Sequence, residues 1–92
     1  MTEHALFIVR GGKIFLRQRP ATGLLAGLWE LPAGEAGPAL LTLRHVITNR
    51  HITLCVHAGR AGRTGRWFTR RQVQAIPMAA AHRRAVTQLF SA

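Results

Sequence analysis

Strict alternation over residues 51–58 is the clearest pattern in the chain. Ile52, Leu54 and Val56 occupy one face of a strand, and His51, Thr53, Cys55 and His57 the other. One face therefore belongs to a core and the other to a polar surface. Two earlier apolar runs, residues 5–9 and 13–19, read as strands joined across Gly11-Gly12, a two-residue hairpin signal. Residues 20–28, opened by Pro20 and broken by Gly23 and Gly27 around Leu24-Leu25, read as an apolar loop, and residues 28–31 as a short strand closed by Pro32. Residues 33–38 are rich in Gly, Ala and Pro. Residues 39–43 suit only a stub of helix before strand character returns over 41–47, which pairs with 51–58 around Thr48-Asn49-Arg50. Residues 59–65 form a basic glycine-rich loop carrying Arg60 and Arg63, and residues 66–68 a last short strand. Thr69 followed by Gln72 is a capping-box signature that opens a helix over 70–75, which Pro77 ends. A second helix over 79–90 turns Val86, Leu89 and Phe90 inward and His82, Arg83 and Arg84 outward.

These elements fill one domain, residues 1–92, whose core must be thin at this size. An apolar content of 48% is nevertheless that of a folded globule rather than a disordered chain of high charge. No apolar stretch is long enough to span a membrane, and Met1-Thr2-Glu3-His4 does not look like a signal peptide, so no membrane partner and a cytoplasmic, nucleoid-associated location are expected. The lone Cys55 excludes an internal disulfide and a cysteine-rich metal cluster. Charge changes the picture most: 13 Lys+Arg stand against 3 Asp+Glu, a formal net charge of +10, and Asp is absent. A codon bias explains why all the cations but Lys13 are Arg, but not the missing acids. A polyanionic partner explains both, since the guanidinium fork matches phosphates and guanine edges.

The run from Leu16 to Pro32, Leu-Arg-Gln-Arg-Pro-Ala-Thr-Gly-Leu-Leu-Ala-Gly-Leu-Trp-Glu-Leu-Pro, resembles the signature of the MutT-like domain that ends MutY adenine DNA glycosylases. His45-Val46-Ile47-Thr48-Asn49 resembles that family's His-x-Phe-Ser/Thr-His segment, and Trp67, the short helix, the Ile76-Pro77 turn and His82-Arg83-Arg84 resemble its ending. The resemblance implies an α/β Nudix-like fold, a mixed β-sheet sandwich with short flanking helices. It further implies a non-catalytic module that reads 8-oxoguanine opposite adenine in duplex DNA, while a separate glycosylase domain of the parent chain removes the adenine. Two departures stand out: the stretch between Pro32 and His45 is short, so the Nudix helix is expected to be absent or reduced, and Ile47 and Asn49 replace Phe and His beside the hydroxyl residue.

Catalysis is not expected of this chain. A Nudix hydrolase holds its metal ions with paired carboxylates on a helix, and hard cations need clustered oxygen ligands. Here Glu35 is the last acidic residue and no Glu-Glu pair exists, while glycosylase chemistry in MutY relies on an Asp that the chain lacks. The resemblance places base recognition at Ile47, Thr48 and Asn49, and Arg17, Arg19, Arg44 and Arg50 are expected on the DNA backbone, with no cofactor and no metal. His51, Cys55 and His57 share strand parity, but a row along one strand is a poor tetrahedron. Glu30 reads as a structural carboxylate bonding backbone or Arg, and Trp29 and Trp67 as packing residues. The alternatives are a hydrolase of oxidised nucleotides and a module that only docks a catalytic domain through the apolar loop from Gly23 to Leu28.

Overall fold

A computed structural model describes residues 1–23, 25–62 and 64–90. The alternation over 50–58 forms strand β6 (Arg50–Ala58), the middle strand of a three-stranded sheet. β6 pairs parallel with β1 (Thr2–Phe7) on one side and antiparallel with β5 (Ala39–Ile47) on the other. The first apolar run is thus divided. At buried Ile8 the chain leaves this sheet, and only β2 (Val9–Arg10) makes the expected hairpin with β3 (Lys13–Gln18) across Gly11-Gly12. Period-two alternation chooses the face a strand buries, not the strand it pairs with, and Ala5 finds its core place opposite Val56.

β3 is the shared strand of the second sheet, pairing antiparallel with β2, with β4 (Trp29–Glu30) and with β7 (Arg66–Thr69). Both sheets turn apolar faces toward a common core in which Ile14, Leu16, Leu31, Leu54 and Val56 are fully buried. The helix stub expected over 39–43 is strand instead. Leu41 and Leu43 alternate against Val56 and Leu54, and cross-strand burial outweighs the weak helical preference of so short a segment. Among the described residues no helix lies between Pro32 and β5, as the short spacing predicted.

The capping box forms as predicted: Gln72 N–H donates to Thr69 Oγ1 (3.2 Å) and Thr69 N–H to Gln72 Oε1 (2.9 Å), opening α1 (Arg70–Ala75). Ile76 is extended ahead of Pro77, as the proline ring requires, and α2 (Ala80–Leu89) follows. The polar face expected of α2 needs correction. His82 is buried and accepts a hydrogen bond at Nδ1 from the Leu31 amide, and Arg83 reaches back to the carbonyls of Val73 and Ile76 at the end of α1. The buried stripe of α2 is Ala81, His82, Ala85 and Val86. Its small alanines bring the helix close to the sheet and draw in the intervening histidine, leaving Arg84 as the exposed cation of the triplet. Trp29 and Trp67 are half-buried packing residues, edge-on to Phe68 and Phe15 at 4.8 and 5.2 Å between centroids. No helix among the described residues is long and apolar enough to cross a membrane.

Candidate functional site

Where the tip of the β5–β6 hairpin approaches the start of α2, the two sheets leave a cleft of about 340 Å³. Its floor is Glu30, 7% exposed and clasped by two guanidinium groups: Arg19 Nη1 lies 2.8 Å from Oε1 and Arg17 Nε 3.2 Å from Oε2. His82 Nε2 stands 3.9 Å from the same Oε1. Burial pushes the His82 pKa below its ordinary value, against the pull of Glu30, and the neutral ring is the form that can accept from Leu31 N–H. The carboxylate expected to be structural does hold arginines, joining β3 to β4, and the His82–Leu31 hydrogen bond ties α2 to the end of β4.

The wall comes from β5 and β6. Leu43 is core, so His45 and Ile47, at the same parity, face inward and line the cleft, whereas Arg44 falls on the outer face of the sheet. His45 keeps Nε2 buried and without a hydrogen-bond partner, a polar group awaiting a ligand or water. The opposite wall is the first turn of α2. Ala79 at its N-cap has no side-chain cap, and Ala80 and Ala81 present the start of the helix, with its partial positive charge, to the cleft beside Arg84. Arg50 closes the rim.

Thr48 and Asn49 lie outside the cleft, exposed at the tip of the hairpin where Ile47 pairs with Arg50. Thr48 adopts φ 50, a left-handed conformation that a β-branched side chain rarely takes. The site residues expected from sequence thus divide by position. Ile47 and Arg50 line the cleft, Thr48 and Asn49 project above it, Arg17 and Arg19 are engaged by Glu30, and Arg44 is on the far face. His45, His82 and Arg84 were not among them. For His45 the signal was present, since it shares parity with Ile47; for His82 it was not, because a histidine beside two arginines has the appearance of a solvated helix face. Other arginines are spent on packing: Arg10 lies over Trp67, Arg66 over Trp29 and Phe68, and Arg70 over Phe90. Leu24 and Arg63, named in the loops above, lie outside the described residues.

The class defined by fold and site is a two-sheet α/β domain with a small cleft at a hairpin tip, lined by Arg19, Arg50 and Arg84. The NUDIX domain model matches residues 4–88, and the chain belongs to this family. No curated protein matches it significantly. Solved structures give the fold again. A MutT NUDIX hydrolase from Burkholderia pseudomallei is similar at a TM-score of 0.74 and 21% identity, over 96% of each chain. The NUDIX domain of Shewanella oneidensis NrtR, solved with ADP ribose, is similar at 0.67 and 16%, over 95% of this chain and 82% of that one. The C-terminal domain of mouse MUTYH, solved with human PCNA, is similar at 0.55 and 22%, over 90% and 81%.

Proposed function

We propose that this NUDIX domain is a non-catalytic DNA-reading module that recognises 8-oxoguanine opposite adenine, serving a glycosylase domain in base excision repair. The observation that carries the reading is Thr48. A β-branched residue held at φ 50 on an exposed hairpin tip carries backbone strain that a glycine would not, and strain of this kind concentrates where a side chain must be aimed. Its hydroxyl suits the lesion. Guanine offers a bare acceptor at N7, whereas 8-oxoguanine carries N7–H beside an oxygen on C8, and a hydroxyl can accept from the first and donate to the second. Arginine, a donor only, cannot accept from N7–H. Below the tip, Arg50, Arg84 and the uncapped start of α2 offer phosphate contacts on the same side, which position the duplex without reading it.

The carboxylates support the absence of hydrolysis. The chain has three: Glu3 and Glu30 both line the cleft, but the oxygens of Glu30 are held by Arg17 and Arg19, and Glu35 stands near His4. That is no paired set of oxygen ligands for magnesium. Thr48→Ala tests the reading. It should reduce the preference for 8-oxoguanine:adenine over guanine:adenine duplexes by about 0.5–1.5 kcal/mol, one net hydrogen bond, with fold and salt dependence retained. Equal losses on both duplexes, or none, in a folded variant would remove Thr48 from the reading site.

A further inference from the structure

On the outer face of the three-stranded sheet, away from the cleft, three metal-binding side chains converge from three segments of the chain. His4 comes from β1, His57 from β6, and Glu35 from the segment that replaces a helix between Pro32 and β5. His4 Nδ1 lies 2.9 Å from His57 Nε2 and 3.8 Å from Glu35 Oε2, and all three ligand atoms fall within 4.8 Å of one another. The row His51, Cys55, His57 does not form: His51 is exposed, Cys55 is half-buried, and His57 turns to His4 and the loop. We propose that His4, His57 and Glu35 bind a borderline transition-metal ion of the zinc class, with solvent in the fourth position, and that the ion fastens the 33–38 loop to the sheet.

The donor chemistry selects the metal. Two imidazoles and one carboxylate suit zinc, cobalt, nickel or copper, while magnesium and calcium prefer an all-oxygen set. Zinc bonds of about 2.0–2.1 Å place tetrahedral ligands roughly 3.3 Å apart, so the two ring nitrogens need to separate by about 0.4 Å and the carboxylate to close in. The parts that must not move are already held. His57, 5% exposed, points Nδ1 at Gly37 O at 3.0 Å; a carbonyl only accepts, so Nδ1 carries the hydrogen and Nε2 presents its lone pair. A backbone carbonyl orienting the far nitrogen of a ligating histidine is the usual outer support of such sites. The loop bearing Glu35 is registered on β1 by Leu6 N–H to Pro32 O (2.8 Å) and Gly34 N–H to His4 O (3.1 Å). Without metal, His4 Nδ1–H donates to His57 Nε2. With metal, that hydrogen moves to His4 Nε2, so two neutral histidines are kept. A domain this small has few other ways to fix a loop that has lost its helix.

Titration of the tag-free, chelator-stripped chain with zinc, followed by thermal denaturation and by the visible spectrum of the cobalt form, tests the proposal. One equivalent should bind, raise Tm and give the absorption of four-coordinate cobalt, and magnesium should do none of these. His4→Ala and Glu35→Gln alter exposed or half-exposed side chains that a folded protein tolerates. Each should weaken zinc binding roughly tenfold or more, while Cys55→Ser and His51→Ala leave it intact. Failure of the wild-type chain to bind a stoichiometric ion would overturn the site, as would binding undiminished in both ligand variants or abolished by Cys55→Ser.

Discussion

Replacing Glu30 by Gln removes one negative charge from beneath the cleft while keeping the side chain's shape. The carboxylate is 9% exposed at the side chain and the two arginines it holds are 37% and 30% exposed, so the cluster lies between a surface pair and a buried one. Surface ion pairs contribute about 0.2–1 kcal/mol, and breaking a fully buried pair costs about 3–5 kcal/mol because a charge is stranded. Arg17 and Arg19 can turn part of their charge to water after the substitution, which places the expected cost near 2 kcal/mol. For a domain of this length that is a fall in Tm of about 8–16 °C, read by circular dichroism or differential scanning calorimetry. A double-mutant cycle isolates the contact: Arg17→Ala should cost much less in the Glu30→Gln background than in the wild type, with a coupling of about 0.5 kcal/mol or more. Additive losses, or a Tm for Glu30→Gln within 2 °C or so of wild type, would show that the clasp does not support the cleft.

Other expectations follow from the same geometry. His82 has its pKa lowered by burial, so the unfolded chain binds more protons; its stabilising contribution is complete above the ordinary histidine pKa of about 6.5 and is lost as pH falls through the lower folded value. His82→Gln should flatten the dependence of Tm on pH as the pH falls below about 6.5, and an unchanged slope would contradict the assignment. Gly65→Ala places a Cβ 2.5 Å from Leu16 O and 2.7 Å from the Phe15 ring at φ 150, and should destabilise by about 1–3 kcal/mol in urea titrations. Thr48→Gly relieves the strain at φ 50 and should leave stability unchanged or raised by up to about 1 kcal/mol, while erasing lesion preference; a clear loss of stability would mean that the threonine serves the turn. Arg50→Ala and Arg84→Ala should each lower the salt slope of DNA binding by about one, with Arg44→Ala, on the far face, leaving it in place.

Much of this architecture was legible from residues. Alternation in 51–58, the glycine pair at 11–12 and the Thr69/Gln72 box name elements whose causes are local, and all three appear. What local pattern does not contain is partnership. Nothing in residues 2–9 says that the run parts at Ile8 to serve two sheets, or that Leu41 and Leu43 would prefer a strand opposite β6 to a helical turn. The candidate site shows the same limit. The tip residues Ile47, Thr48 and Asn49 were visible through resemblance, but a pair such as Glu30 with His82, 52 positions apart, meets only because α2 packs beside β5 and against the end of β4. Likewise the His4–His57 pairing depends on a parallel register that no hairpin signal announces.

The central claim is that the domain reads a lesion without turning it over, and the most direct test is equilibrium binding of the purified chain to matched duplexes bearing 8-oxoguanine:adenine or guanine:adenine, by fluorescence anisotropy at two salt concentrations. The account predicts salt-sensitive binding to both, tighter for the lesion by a margin that persists as salt rises, because phosphate contacts carry the salt dependence and the base contact carries the margin. Identical affinities for the two duplexes at both salt concentrations would contradict it.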